Sequence, residues 1–225
     1  WWTPAGLHFE DAVLVHEFGH QYFYGLCASN EFEEPWLDEG VTSWAEGVVM
    51  DALFGSRRSF VDLFGLRIGG TALNRASLAT RNVVDEPSAQ NAWRYATLGS
   101  YGQHVYSRTA LILHSLAGIV GEPAMRRAMR AYVDRWRFRH PTADDFFATI
   151  RESLAASTSG AEALDVVDGF LKPAITTGAR LDYTVVELRS DGAFGARGVF
   201  DGVTGRQRKL ERPRRGAEPP EYETE

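Results

Sequence analysis

The stretch HEFGHQYFYGLCASNEFEEPWLDEG, His16 to Gly40, sets two histidines four residues apart with a glutamate directly after the first, and places an acidic pair, Asp38 and Glu39, further on. On a helix, residues four apart lie on one face, one turn above each other. His16 and His20 can then each offer an imidazole nitrogen to one ion, and zinc, at about 2.0–2.1 Å from nitrogen, suits that geometry. Glu17 would sit beside the ion and not on it, placed to take a proton from a water that the metal activates. A catalytic zinc keeps three protein ligands and one open position, so one more ligand is needed. Glu39 is the candidate, on a second helix that the intervening loop allows to pack back against the first. Glu46 lies two turns along the same face as Glu39 and could accept the other N–H of a ligating histidine, fixing its tautomer. The competing view is an ordinary helix that happens to carry histidines, and the downstream acidic helix argues against it.

The elements that must position these residues are mainly helical. Apolar residues at helical spacing, Val13, Phe18, Tyr22 and Phe23 among them, predict a helix from about Phe9 to Leu26. A second is expected from about Leu37 to Phe54, stopped by Gly55. Between Ser56 and Ser100 the pattern is weak, and the polar run NVVDEPSAQNAW is expected to be surface loop. The helical pattern returns from Gln103 to Val120 and ends at Gly121, and Pro123 suits the first turn of the next helix. That helix puts Met125, Met129, Tyr132, Val133 and Trp136 on one face. Thr142 followed by Asp145 signals a capped helix start, and a short helix is expected over about Ala161 to Lys172. After Gly178, β-branched alternation around Asp191-Gly192 predicts a hairpin. From Arg206 the chain turns basic and then acidic, which predicts a disordered tail or linker. The expected organisation is a helical lobe over 1–178, a β-hairpin or the start of a β-rich segment over 179–205, and a tail over 206–225.

The chain has 225 residues, 44% hydrophobic and 24% charged, which is ordinary for a soluble globular protein and enough to bury a core without staples. A net charge of −6 implies no general attraction to nucleic acid or anionic membrane. With Cys27 as the single cysteine, no intrachain disulfide can form. No apolar run is long enough to span a membrane. The chain opens on Trp1 and is expected to be an internal piece of a longer protein, whether cytoplasmic, membrane-tethered or exported.

The HExxH motif, the 18 residues that follow it and then Glu39 together resemble the gluzincin zinc peptidases of the aminopeptidase N family. WLDEGVTSWAE is similar to the family's W-L-N-E-G-F-A-x-Y-x-E, and VYSRTALILHSLAGIVGEPAMRRAMRAYVDRWRFRHPTADDFF is similar to its Tyr-x-Lys-Gly segment and the helices after it. The likeness covers roughly Leu14 to Leu154. It implies the helical lobe of a thermolysin-like zinc peptidase domain holding one zinc per chain, with His16, His20 and Glu39 as ligands and Glu17 as general base. Tyr106 would match the family tyrosine that steadies the oxyanion, a role suited to a phenol beside charge that develops only in the transition state. Tyr101, in the Gly-flanked LGSYGQ, is the competing candidate. Two departures stand out: Asp38 occupies the usual Asn position, and Arg108-Thr109 stands where the family has Lys-Gly.

The implied activity is removal of N-terminal residues from peptides. A zinc endopeptidase and a zinc-containing domain that binds peptides without cleaving them are the alternatives. A metzincin would place a third histidine where Leu26 stands. The family's Gly-x-Met-Glu-Asn motif, which holds the substrate's free amino group, does not occur before His16. An upstream β-rich part of the parent protein is therefore expected to complete the site, and the surface it covers would be apolar in this chain. His104, His114 and His140 are expected to be structural and Cys27 a small buried residue. The RQRKLERPRR run is expected to be solvated.

Overall fold

Acidic residues in a first turn and a histidine in a last turn both complement the helix dipole. The computed structural model describes residues 3–80, 85–156, 166–178, 198–200 and 207–209. It folds the HExxH segment as α1 (Phe9–Phe23), with Glu10 and Asp11 in the first turn and His20 in the last. A π-helical turn, Trp36–Gly40, runs directly into α2 (Val41–Phe54), which Gly55 ends at φ +90°. Glycine adopts that backbone conformation without steric cost.

The weakly patterned region is more ordered than expected. β1 (Val61–Leu63) pairs antiparallel with β2 (Leu66–Ile68) across Phe64 and Gly65, both at positive φ, and α3 (Gly70–Thr80) follows. A turn with two positive-φ residues normally advertises itself by Asn-Gly or Asp-Gly; Phe64 hides it. The described part of NVVDEPSAQNAW is not surface loop either, because Glu86 and Ser88 are buried. The Glu86 carboxylate accepts from Ser100 Oγ, from Gln90 Nε2 at 3.2 Å and from the Ala96 N–H at 3.1 Å. A polar run can go inside when its groups satisfy one another.

α4 (Leu98–Tyr101) leads through a second π-helical segment, Gly102–Arg108, into α5 (Thr109–Val120). Gly121 closes α5 at φ +86°, and Pro123 sits in the first turn of α6 (Glu122–Trp136). α7 (Ala143–Ala155) begins with the Thr142/Asp145 capping box that its sequence predicts. A third π segment, Val167–Leu171, and α8 (Lys172–Thr176) follow; the earlier part of the helix expected over 161–172 lies outside the described residues. None of the described helices is long and apolar enough to cross a membrane.

The core is built where α2, α5, α6 and α7 meet, from Trp36, Leu37, Val41, Leu113, Leu116, Met125, Tyr132, Phe146 and Ile150. Trp36 packs edge-on to Phe146 at 5.3 Å and stacks on Phe147 at 5.7 Å, so the first residue of the π turn is locked into the interior. α1 forms where the spacing predicts a helix, but most of its apolar residues face outward. Val13, Phe18 and Tyr22 are exposed, and Phe23 alone of the predicted stripe is buried. The inward face of α1 is taken instead by His16 and His20, which turn toward the π turn and α2.

Residues 181–225 form a separate unit, in which β3 (Gly198–Phe200) pairs antiparallel with β4 (Gln207–Lys209). Gln207–Lys209 is thus a strand, where the sequence suggested the start of a tail; the turn expected at Asp191-Gly192 lies outside the described residues.

The first two of the π segments touch at Gly40. A Cβ there would lie 2.5 Å from Thr109 Cγ2 and 2.6 Å from the Val105 carbonyl oxygen. Gly40→Ala should therefore force the segments apart and cost about 1–3 kcal/mol, as overpacking typically does. Thermal unfolding checks this, and an unchanged melting temperature would show that the contact is not tight.

Candidate metal centre and active site

α1 and α2 approach closely because Gly19 lies between the two histidines; a Cβ on it would meet Thr42 Cγ2 at 2.8 Å. The imidazoles of His16 and His20 stand edge to face, with centroids 4.8 Å apart. Their Nε2 atoms converge on one oxygen, Glu39 Oε2, at 3.1 and 3.3 Å. One ligand atom from each of His16, His20 and Glu39 lies within 4.8 Å of the others, the one such cluster among the described residues. Behind this trio, His16 Nδ1 faces Glu46 Oε2 at 3.1 Å and His20 Nδ1 faces Asp38 Oδ1 at 2.6 Å.

This donor set fits a divalent zinc ion. Two imidazole nitrogens and a carboxylate oxygen are the ligand types zinc takes at a catalytic site. The charge fits as well, since three carboxylates surround two imidazoles in a half-buried site, an excess of negative charge that calls for a cation.

The same charge pattern also acts on the protons of the site. Burial works against a charged His16, but hydrogen bonds and charge from Glu39 and Glu46 outweigh it and push its pKa up to about 9. Burial would raise Glu39, yet hydrogen bonds from His16 and Tyr106 and the nearby His20 hold it below its ordinary value. Burial pushes Asp38 up to about 6 against the pull of His20.

Tyr106 lies on the π segment before α5, its ring stacked near His16 with centroids 5.8 Å apart and planes 17° from parallel. Its hydroxyl donates to Glu39, and burial together with that carboxylate pushes the phenol up, so it stays a neutral donor. Tyr101, the rival candidate, stands with its ring centroid 6.1 Å from that of Tyr106. Arg108 anchors the segment by donating to the carbonyls of Glu86 at 2.7 Å, Thr177 at 2.8 Å and Ala174 at 3.2 Å. Glu17 is exposed and lines an open cleft of about 460 Å³ together with the trio, Glu46 and Tyr106. Phe9, Val13 and Phe60 give this cleft an apolar wall.

The other singled-out residues lie elsewhere. His114 packs on Gly47 and near Trp44. The backbone carbonyl of the buried His104 receives Ser88 Oγ and Thr109 Oγ1. His140 Nδ1 bonds the Ala28 carbonyl at 2.9 Å. Cys27 is fully buried, and burial pushes its thiol up to about 11. What sequence reasoning missed is the contact of Asp38 with His20. The signal was the acidic pair itself, but adjacent residues on a regular helix do not face one neighbour; on the π turn both reach α1.

The chain is 25% identical over 150 residues to human endoplasmic reticulum aminopeptidase 2, covering 66% of this chain and 15% of that protein. It is 28% identical over 141 residues to mouse aminopeptidase B, covering 60% and 21%. The chain thus spans only a small part of the curated relatives it matches. An M1 zinc metallopeptidase from Deinococcus radiodurans superposes with a TM-score of 0.56 at 21% identity, over 76% of this chain and 34% of that one. A mutant of an M1 zinc metallopeptidase from the same organism, bound to a Tyr-Ser-Ala substrate, gives 0.53 at 20% identity over 77% and 34%. These structures share the fold, the mainly helical lobe that the sequence implied. The model of the Peptidase family M1 domain matches residues 9–170, from the first residue of α1 to the last π segment, and the chain therefore belongs to peptidase family M1.

Proposed function

We propose that this chain is the helical catalytic lobe, residues 1–178, of a zinc-dependent aminopeptidase that removes N-terminal residues from peptides. The observation that carries this is the convergence of both histidine Nε2 atoms on Glu39, in one cleft with Glu17 and Tyr106. His16, His20 and Glu39 would hold a single zinc ion. When bound, zinc polarises the scissile carbonyl and lowers the pKa of the attacking water. Glu46 keeps His16 in the tautomer that turns Nε2 toward the ion. Glu17 takes the proton from the water and later delivers it to the leaving amine. Tyr106 donates its phenolic proton in a hydrogen bond to the developing oxyanion. The aminopeptidase names of the curated relatives support exopeptidase action over internal cleavage.

The amino-group anchor is assigned to a β-rich part of the parent protein outside this chain. The exposed apolar face of α1, with Phe9, Val13, Leu14 and Phe18, supports such a covering part.

In the full natural protein, Glu17→Gln should retain its zinc content while turnover falls by about 10²–10⁴-fold, the usual worth of a general acid–base group. Full activity in that variant sinks the mechanism. Tyr106→Phe should lower kcat by about 10²–10³-fold, as loss of an oxyanion donor does, with KM little changed. Matched peptides with free and acetylated N-termini, read by mass spectrometry with and without a chelator, test the substrate class. Chelator-sensitive loss of single residues from free peptides alone is expected; internal cuts in both sets would mean an endopeptidase.

The raised pKa of His16 gives a pH signature. A histidine at about 9 in the folded chain, against 6.5 unfolded, contributes stability that is complete below 6.5 and lost as pH rises through 9. Asp38, at about 6, and Glu39, held low, are ionised through most of that window. Metal-stripped protein should therefore melt at progressively lower temperature between these pH values. Saturating zinc, which requires neutral His16, should abolish the trend.

A further inference from the structure

We infer that Asp38 is a positioning residue that holds His20 through Nδ1 and sets how tightly this chain retains its metal. The inference rests on the zinc reading proposed above. Its support is geometric. Asp38 Oδ1 lies 2.6 Å from His20 Nδ1, shorter than the 3.1 Å between Glu46 and His16, and its side chain is 4% exposed. Asp38 sits on the π turn that Trp36 locks into the aromatic core against Phe146 and Phe147, so the carboxylate is held on a rigid support. Its neighbour Glu39 faces the opposite nitrogen of the same ring. His20 is thereby gripped at both nitrogens from adjacent residues of one turn. With Nδ1–H donated to Asp38, only Nε2 is left to face an ion.

A carboxylate at this position does more than the asparagine of the resembled family pattern could. Both accept a hydrogen bond, but a charged acceptor makes one roughly twice as strong, and a carboxylate behind a ligating imidazole raises its basicity toward the metal. Each of the two histidines proposed as ligands thus carries its own carboxylate, Asp38 for His20 and Glu46 for His16.

The test is zinc affinity, measured on the full natural protein by competition with a chromophoric chelator. Asp38→Asn, which keeps an acceptor and removes its charge, should raise the zinc dissociation constant several-fold, toward the lower end of the roughly 10–100-fold that disturbing such a partner costs. In a His20→Ala background the same substitution should have a much smaller effect, because its route through His20 is gone. A purely structural role would instead lower the melting temperature of metal-free protein and leave zinc affinity alone. Asp38→Asn that folds and keeps wild-type affinity overturns the inference while leaving the zinc reading intact. A wild-type protein that takes up no zinc overturns the zinc reading itself. If Asp38→Asn fails to fold, Asp38→Ser carries the same comparison, and loss of fold in both makes Asp38 structural and ends the proposal.

Discussion

Everything in the cleft is arranged around the carboxylate of Glu39. It faces both histidine Nε2 atoms and accepts the hydroxyl of Tyr106, so three segments distant in sequence meet at one side chain. That meeting has an electrostatic cost, because Asp38 and Glu46 bring two more carboxylates to the same half-buried volume. Like charges in a low-dielectric setting must be neutralised by something. The raised pKa of His16 is one response to that charge. A divalent cation would meet the same demand without a proton, so the charge pattern that perturbs His16 is also the one that favours metal.

The placement of Glu39 is a packing problem solved far from the cleft. Trp36 fixes one end of its turn among Phe146 and Phe147, on a helix more than a hundred residues later in the chain. Gly40 fixes the other end by letting the Val105 carbonyl come close. Val105 immediately precedes Tyr106, so the contact that places Glu39 also sets its distance from the phenol. Gly19 does the same for the histidines against Thr42. Close-packed interiors transmit such constraints with little slack.

The grouping of the candidate site was largely legible in the sequence because the residues proposed as ligands are local. His16, His20 and Glu17 need only the helical period, and Glu39 and Glu46 need one further helix returning across a short loop. The capped start of α7 and the glycine stops of α2 and α5 were legible for the same reason. What failed depended on tertiary context. The apolar spacing of α1 marked a helix, but periodicity cannot say which face the core takes, and the histidines took it. The buried polar segment around Glu86 read as loop because its hydrogen bonds close only within the fold. The π turn that lets Asp38 and Glu39 both reach α1 has no sequence period of its own, so the contact of Asp38 with His20 stayed hidden.

The division of labour in the proposed chemistry follows from which groups are already engaged. Four acidic residues, Glu17, Asp38, Glu39 and Glu46, stand at or behind the cleft. Asp38 and Glu46 each hold a histidine from behind, and Glu39 faces both histidines from the front. A carboxylate so engaged would break its own support by accepting another proton. Tyr106 is kept a neutral phenol by burial and by Glu39, so it can donate but not take a proton. Glu17 is the exposed carboxylate lining the cleft that pairs with neither histidine among the described contacts. A general base must be deprotonated, within reach of the reacting water and free to accept. Glu17 meets the last condition by its place on α1, one residue past His16, exposed and lining the same cleft as the trio.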